Sequence, residues 1–161
     1  MTPRVVLDTS VLLSAERHEL IFLAHRQIYT MVWSSFLVAE VVRIRTEWGI
    51  KHQQERARYR QGINNFVHEL SRIAELVDYT LVEGGSYHQW LKDPDDEPLL
   101  ATALVGGAQY IVSWNTRDFP PRGSFAGVRY LTPPTFLAEL YMQYPEQQLH
   151  EAFSEGEYRL P

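Results

Sequence analysis

Asp8 breaks the apolar run VVLDTSVLL, residues 5–13, where a buried strand should be ending. A charge fully removed from water there costs several kcal/mol unless it is paired, hydrogen-bonded or bound to a metal. Asp8 therefore either caps a helix at the strand's exit or belongs to a site that needs a carboxylate. Glu40 poses the same choice, because it shares a helix face with Leu37, Val41 and Ile44. It either reaches from the edge of that stripe to solvent or an arginine, or points into a cleft. The stretch KDPDDEPLLATAL, residues 92–104, crowds Asp93, Asp95, Asp96 and Glu97 around a helix start. One or two acids there suit the helix dipole and its free N–H groups, but four repel one another. VSWNTRDF, residues 112–119, then ends an apolar strand with Asn115 and Asp118, which are also ordinary turn formers. Taken together, these positions offer oxygen ligands suited to a hard divalent cation such as Mg²⁺ or Mn²⁺. The six histidines show no close ligand pairing of the kind zinc would want.

The elements that must position these groups are legible as short apolar strands alternating with helices. Strands are expected at Arg4–Leu7, Thr30–Trp33, Val77–Val82, Tyr110–Ser113 and Val128–Leu131. Helices are expected from Thr9 or Ser10 to about Arg17, then on to about Gln27, and from Phe36 to Trp48 with a stop at Gly49. Others are expected from Lys51 to Leu76, Glu97 to Leu104 and Pro134 to Tyr144. Ser34 and Ser35 are good helix caps, Gly84-Gly85 closes the third strand, and Gly106-Gly107 closes the Glu97 helix. The alternation argues an α/β sandwich around a mostly parallel sheet. In such sheets ligands bind outside the carboxyl ends of the strands, where Asp8 and Asn115 fall.

The chain has 161 residues, 45% hydrophobic and 22% charged, which suits one domain with a sizeable core. Residues 1–144 read as that domain and 145–161 as a polar, acidic tail. With no cysteine, disulfides and thiolate chemistry are excluded, which fits a cytoplasmic setting. No apolar run is long enough to span a membrane, and no signal peptide is visible. The net charge of −5 argues against a general polyanion binder. Residues 43–72 nevertheless carry seven Lys/Arg against three acids, a local balance of +4. Arg43, Arg45, Lys51, Arg56, Arg58, Arg60 and Arg72 form either a phosphate-facing surface or a solvated helix face.

At these residues the chain resembles the PIN-domain ribonucleases, which include the VapC-like toxins of toxin–antitoxin pairs. The resemblance spans about residues 3–140 and rests on VVLDTSVLLSA, SSFLVAEVVR, DPDDEPLLATALVGGAQYIVSWNTRDF and TPPTFLAEL in order. It implies a PIN-like three-layer α/β/α sandwich with a central mostly parallel sheet, and metal-dependent hydrolysis of RNA. It carries the family's first three acids onto Asp8, Glu40 and Asp96. The fourth position commonly reads T-G-D-x-D, whereas here Asn115 stands where an acid is frequent and Asp118 comes one residue late. That departure bears on a second metal, since an Asn oxygen brings no negative charge. Ser10 replaces a frequent Asn.

The expected mechanism has Asp8 and Asp96 holding one Mg²⁺ or Mn²⁺, with Glu40 and Asp118 acting through water or positioning a second ion. The metal makes hydroxide available near neutral pH and offsets phosphate charge. Thr9 or Ser10 is expected to support Asp8, and Asn115 to orient a ligand. The basic stretch would hold the RNA backbone, giving salt-sensitive affinity. A cognate antitoxin and a homodimer are the expected protein partners. An aspartyl phosphatase is disfavoured because Ser10 stands where its second acid belongs. A phosphoryl-receiver domain would need a lysine late in the chain, and only Lys51 and Lys92 exist. No G-x-x-x-x-G-K loop or G-x-S-x-G elbow is present. The alternative is a catalytically weak or inactive PIN-like module that binds RNA or a protein partner, a reading Asn115 favours.

Overall fold

The computed structural model describes residues 2–78, 93, 96–121 and 123–144. The tail expected from residue 145, the Gly84-Gly85 stop and Asp95 lie outside these residues. Strand β1, Arg4–Leu7, is the sheet's axis: Val5, Val6 and Leu7 are wholly buried. Such two-sided burial requires helices on both faces, which is why the run is continuously apolar instead of alternating. β1 pairs in parallel with β2, Thr30–Ser34, on one side and with β4, Tyr110–Val112, on the other. β3, Ala74–Val77, extends the sheet beyond β2, and β6, Val128–Leu131, extends it beyond β4. A two-residue strand β5, Ser124–Phe125, closes the edge antiparallel to β6, giving the order β3-β2-β1-β4-β6-β5. The fold is a three-layer α/β/α sandwich of the PIN type, as the resemblance implies.

Between β1 and β4 the order of connection reverses, because the chain runs outward through β2 and β3 before returning to β1's other side. Strand ends diverge at such a switch point and leave a crevice at their carboxyl edge. Asp8 follows β1 and Ser113 follows β4 at that edge. Arg4 starts β1 and pairs with Glu75 at 2.9 Å, and Arg129, within β6, forks onto Glu139 at 2.7 and 3.0 Å.

Several element boundaries differ from the expectation for local reasons. The first helix is a single turn, α1, Thr9–Leu12, and α2 covers only Arg17–His25. Ser14 ends α1 by turning both its N–H and its hydroxyl back onto the carbonyl of Val11. α3, Ser35–Lys51, runs through Gly49, where an added Cβ would fall 2.8 Å from the Tyr59 ring. That glycine is a packing residue and not a stop: it lets α4 approach. α4 spans Arg56–Ile73 and not Lys51–Leu76, because residues 74–77 extend to pair with β2, Met31↔Ala74 through Ser34↔Val77. The third strand therefore precedes the expected Val77–Val82. Ser34 caps α3 by position without a side-chain bond, and its hydroxyl accepts one from Thr102 at 2.8 Å. α5 covers Glu97–Val105 and α6 Pro133–Gln143, one residue earlier than expected at α6's start. β5 was not foreseen; two residues carry no periodicity. Its return to β6 turns at Ala126 and Gly127, with φ of 48° and 86°, the pair of positive values a tight hairpin demands.

Candidate active site

Asp8 leaves β1 with its backbone N–H still bonded to the carbonyl of Val112 at 3.0 Å, so it stays in register with β4. Its Oδ2 accepts two hydroxyl protons, from Ser10 and from Ser113, each at 2.6 Å. Those hydroxyls are themselves oriented, since Ser113 Oγ accepts the Asn115 N–H at 2.8 Å and Ser10 Oγ accepts that of Trp114 at 3.2 Å. Asp8 is thus held from both strand exits by a small hydrogen-bond network that is buried at Ser113 and open to solvent at Ser10.

Glu40 sits in the second turn of α3, with its side chain 28% exposed. It accepts the hydroxyl of Thr9, which is buried at the start of α1. Thr9 therefore serves Glu40 and not Asp8, a correction to the expectation, while Ser10 serves Asp8. The reason is directional: successive residues of the α1 turn project to different sides, one toward α3 and one back along β1. Arg43 Nη2 stands 4.0 Å from Glu40 Oε1, while Arg43 Nη1 is closer, at 3.1 Å, to Glu47 Oε1.

Asp96 occupies the cap position of α5, yet its side chain makes no capping bond. It accepts instead from the side-chain amide of Asn115 at 3.1 Å. Burial first, then the charges of Asp118, Asp8, Asp93 and Glu40, raise its pKa to about 7. Asp96 thus feels the charges of Asp8, Glu40 and Asp118, which come from three other segments of the chain. Asp118 is held by the turn that closes with Phe119 N–H on Asn115 O at 3.0 Å, and Phe119 is buried edge-on against Tyr130. Asp118 Oδ1 is buried without a hydrogen-bond partner among the described residues.

Among the described residues no three His, Asp or Glu side chains already converge as a ready-made ligand set. The donor chemistry nevertheless fits a hard cation. An orphaned carboxylate oxygen and a carboxyl whose charge is opposed by its neighbours are both relieved by positive charge. Mg²⁺ keeps much of its water shell and needs only one or two direct carboxylates. Asp8 and Asp96 are the residues that would hold such an ion.

The basic residues divide between two grooves beside α4. Arg45 and Arg58 line one with Arg17, while Arg56 and Arg60 line a smaller one with Tyr59 and Asn64. Lys51 is exposed at the end of α3, and Arg43 is engaged with acids. Ser113 was missed from the sequence as a site residue. Its signal was its place at the threonine of the T-G-D pattern, at the end of an apolar strand.

The sheet order β3-β2-β1-β4-β6-β5, with helices between parallel strands, defines an α/β fold of the doubly wound kind. The PIN domain family model matches residues 4–117, and the chain belongs to that family. PIN domains are generally nucleases, typically metal-dependent. No curated protein matches the chain significantly. Among the described residues no helix is long and apolar enough to cross a membrane.

Proposed function

We propose that the chain is a Mg²⁺- or Mn²⁺-dependent endoribonuclease, the VapC-like toxin component of a toxin–antitoxin pair. The observation that carries this reading is the coupling of four dispersed acids at one sheet edge, with Asp96 raised and Asp118 Oδ1 unpartnered. A purely structural cap or turn gains nothing from such repulsion. Asp8 and Asp96 hold the ion directly, and Glu40 and Asp118 orient water around it. When bound, the cation activates water near neutral pH and offsets charge on the phosphate. Ser10 and Ser113 fix the Asp8 carboxylate, Thr9 fixes Glu40, and the Asn115 amide holds one Asp96 oxygen in place. Arg43, Arg45, Lys51, Arg56, Arg58 and Arg60 border the approach and attract the RNA backbone.

Asn115 supports a second reading, a PIN-like module that binds RNA or a protein without cutting, because it donates to Asp96 where an acid is frequent. Incubating labelled RNA with Mn²⁺, with and without chelator, separates the two. Cleavage that stops on chelation and in Asp8→Asn supports the enzyme; intact RNA with retained binding supports the module. The toxin role has its own test: expression should arrest growth, and co-expression of the adjacent small protein should relieve it. Gel filtration reads the proposed homodimer.

A further inference from the structure

A groove of about 570 Å³ lies between α3, α4 and the turn after α1, within the size range of small-ligand sites. Arg17, Arg45 and Arg58 line it together with Trp48 and Tyr59, and among the described residues no carboxylate does. Arg45 is fixed and half-buried, with its guanidinium 4.4 Å from the centre of the Phe66 ring. Burial and then the charge of Arg17 lower its pKa, so its positive charge is poorly compensated where it stands. An anion would relieve it. Trp48 is 53% exposed although it is large and apolar, and its ring is braced by stacking on His52 at 4.2 Å. Tyr59 is pressed against Gly49. Two aromatic side chains beside three guanidinium groups, with no carboxylate among the described residues lining the groove to neutralise them, suit a ligand that is both flat and phosphorylated.

The groove also shares α3 with Glu40. Ile44, in its wall, is one helical turn from Glu40, and the rise of α3 puts Trp48 about 12 Å beyond it. A strand whose phosphate lies at the acids reaches the groove within a few nucleotides. We propose that the groove is a nucleotide subsite, in which Arg17, Arg45 and Arg58 take a backbone phosphate and Trp48 and Tyr59 stack a base of unpaired RNA. In a duplex the bases are stacked on one another and cannot enter, so the subsite selects single-stranded segments.

The identity of the strand rests on the nuclease reading, but the test reads binding alone. Anisotropy of a labelled unpaired hexaribonucleotide is measured in EDTA on the full chain, with circular dichroism checking the fold of each variant. Trp48→Ala should weaken binding about tenfold, the scale of one lost base–aromatic stack, and Trp48→Phe should restore most of it. Arg58→Gln should lower the slope of log K against log salt by about 0.7, one phosphate contact on a single strand. A blunt duplex should bind Trp48→Ala and the parent chain alike. Hexamer binding untouched by Trp48→Ala and Arg58→Gln overturns the subsite and leaves the groove to an acidic peptide. Equal losses for hexamer and duplex, or no recovery with Phe, overturn it as well. If the parent chain cuts no RNA with Mn²⁺ while the Trp48 pattern holds, the nuclease reading fails and the subsite stands.

Discussion

Ser113 donates its hydroxyl to Asp8 Oδ2 at 2.6 Å, joining the exits of β4 and β1 across 105 residues of chain. Ser113 Oγ in turn accepts the Asn115 N–H, so one buried hydroxyl orients the first acid and the start of the last acidic turn. Ser113→Ala removes both. Cation-dependent RNA cleavage should fall about 10- to 100-fold, the usual cost of losing a partner behind a metal ligand. The stranded N–H should cost about 1–3 kcal/mol in thermal unfolding. Undiminished single-turnover cleavage would detach Ser113 from the chemistry.

Asp8→Asn and Asp96→Asn keep side-chain size while removing charge from the groups assigned to the ion. Each should lower cleavage by about 100-fold or more, as loss of a preorganised electrostatic contact does. Isothermal titration with Mn²⁺ should show weakened uptake in both. Full activity in either variant would contradict the assignment.

Stability of the cation-free protein should depend on Asp96. Its carboxyl titrates near 3.8 when unfolded and at about 7 when folded, so the native state binds the extra proton between those values. The slope of unfolding free energy with pH is then negative, and this group's contribution declines from about pH 4 to pH 7 before levelling. Asp96 is only partly buried, so solvent screening keeps the effect to roughly 1 kcal/mol or about 2–4 °C in melting temperature. Asp96→Asn should flatten that decline and melt higher than the parent chain at pH 8 in chelator. A melting profile identical in both proteins from pH 4 to 8 would refute the argument.

Asn115→Asp replaces the amide donor to Asp96 by a fifth carboxylate. Without cation the protein should melt lower at pH 8, because two acids then face each other across the present 3.1 Å contact. Added Mn²⁺ should raise the melting point more than in the parent chain. Equal Mn²⁺ stabilisation of both proteins would show that position 115 does not face the ion.

Gly106→Ala tests the packing beneath the site. Its Cβ would stand 2.4 Å from Val32 Cγ1 in β2 and 3.0 Å from the Thr102 carbonyl, so buried atoms must move. A loss of about 1–3 kcal/mol is expected in urea unfolding, the scale of an overpacked core. A neutral result would mean that β2 and α5 can separate freely.

Local patterns in the chain already determined most of the framework. Short β-branched apolar runs such as VVL suit central parallel strands, and most element changes sit near a punctuating residue or a shift of periodicity. Glu40 was legible as an acid on an apolar helix face because helical periodicity is a property of neighbours. Asp8 likewise stood out against its apolar neighbours, whereas Asp96 within its acidic run, and Asp118 within its turn, were singled out only by the family resemblance.

What they do for one another was decided only by the fold. Strand pairing placed residues 74–77 beside β2 and fixed where the third strand begins, a choice local propensity cannot make. The approach of α4 turned Gly49 from an apparent stop into a contact surface. Thr9 reached Glu40, and Ser113 reached Asp8, across 31 and 105 residues respectively. Hydrogen bonds and charge coupling act over a few ångströms of space, and only the wound sheet sets those distances.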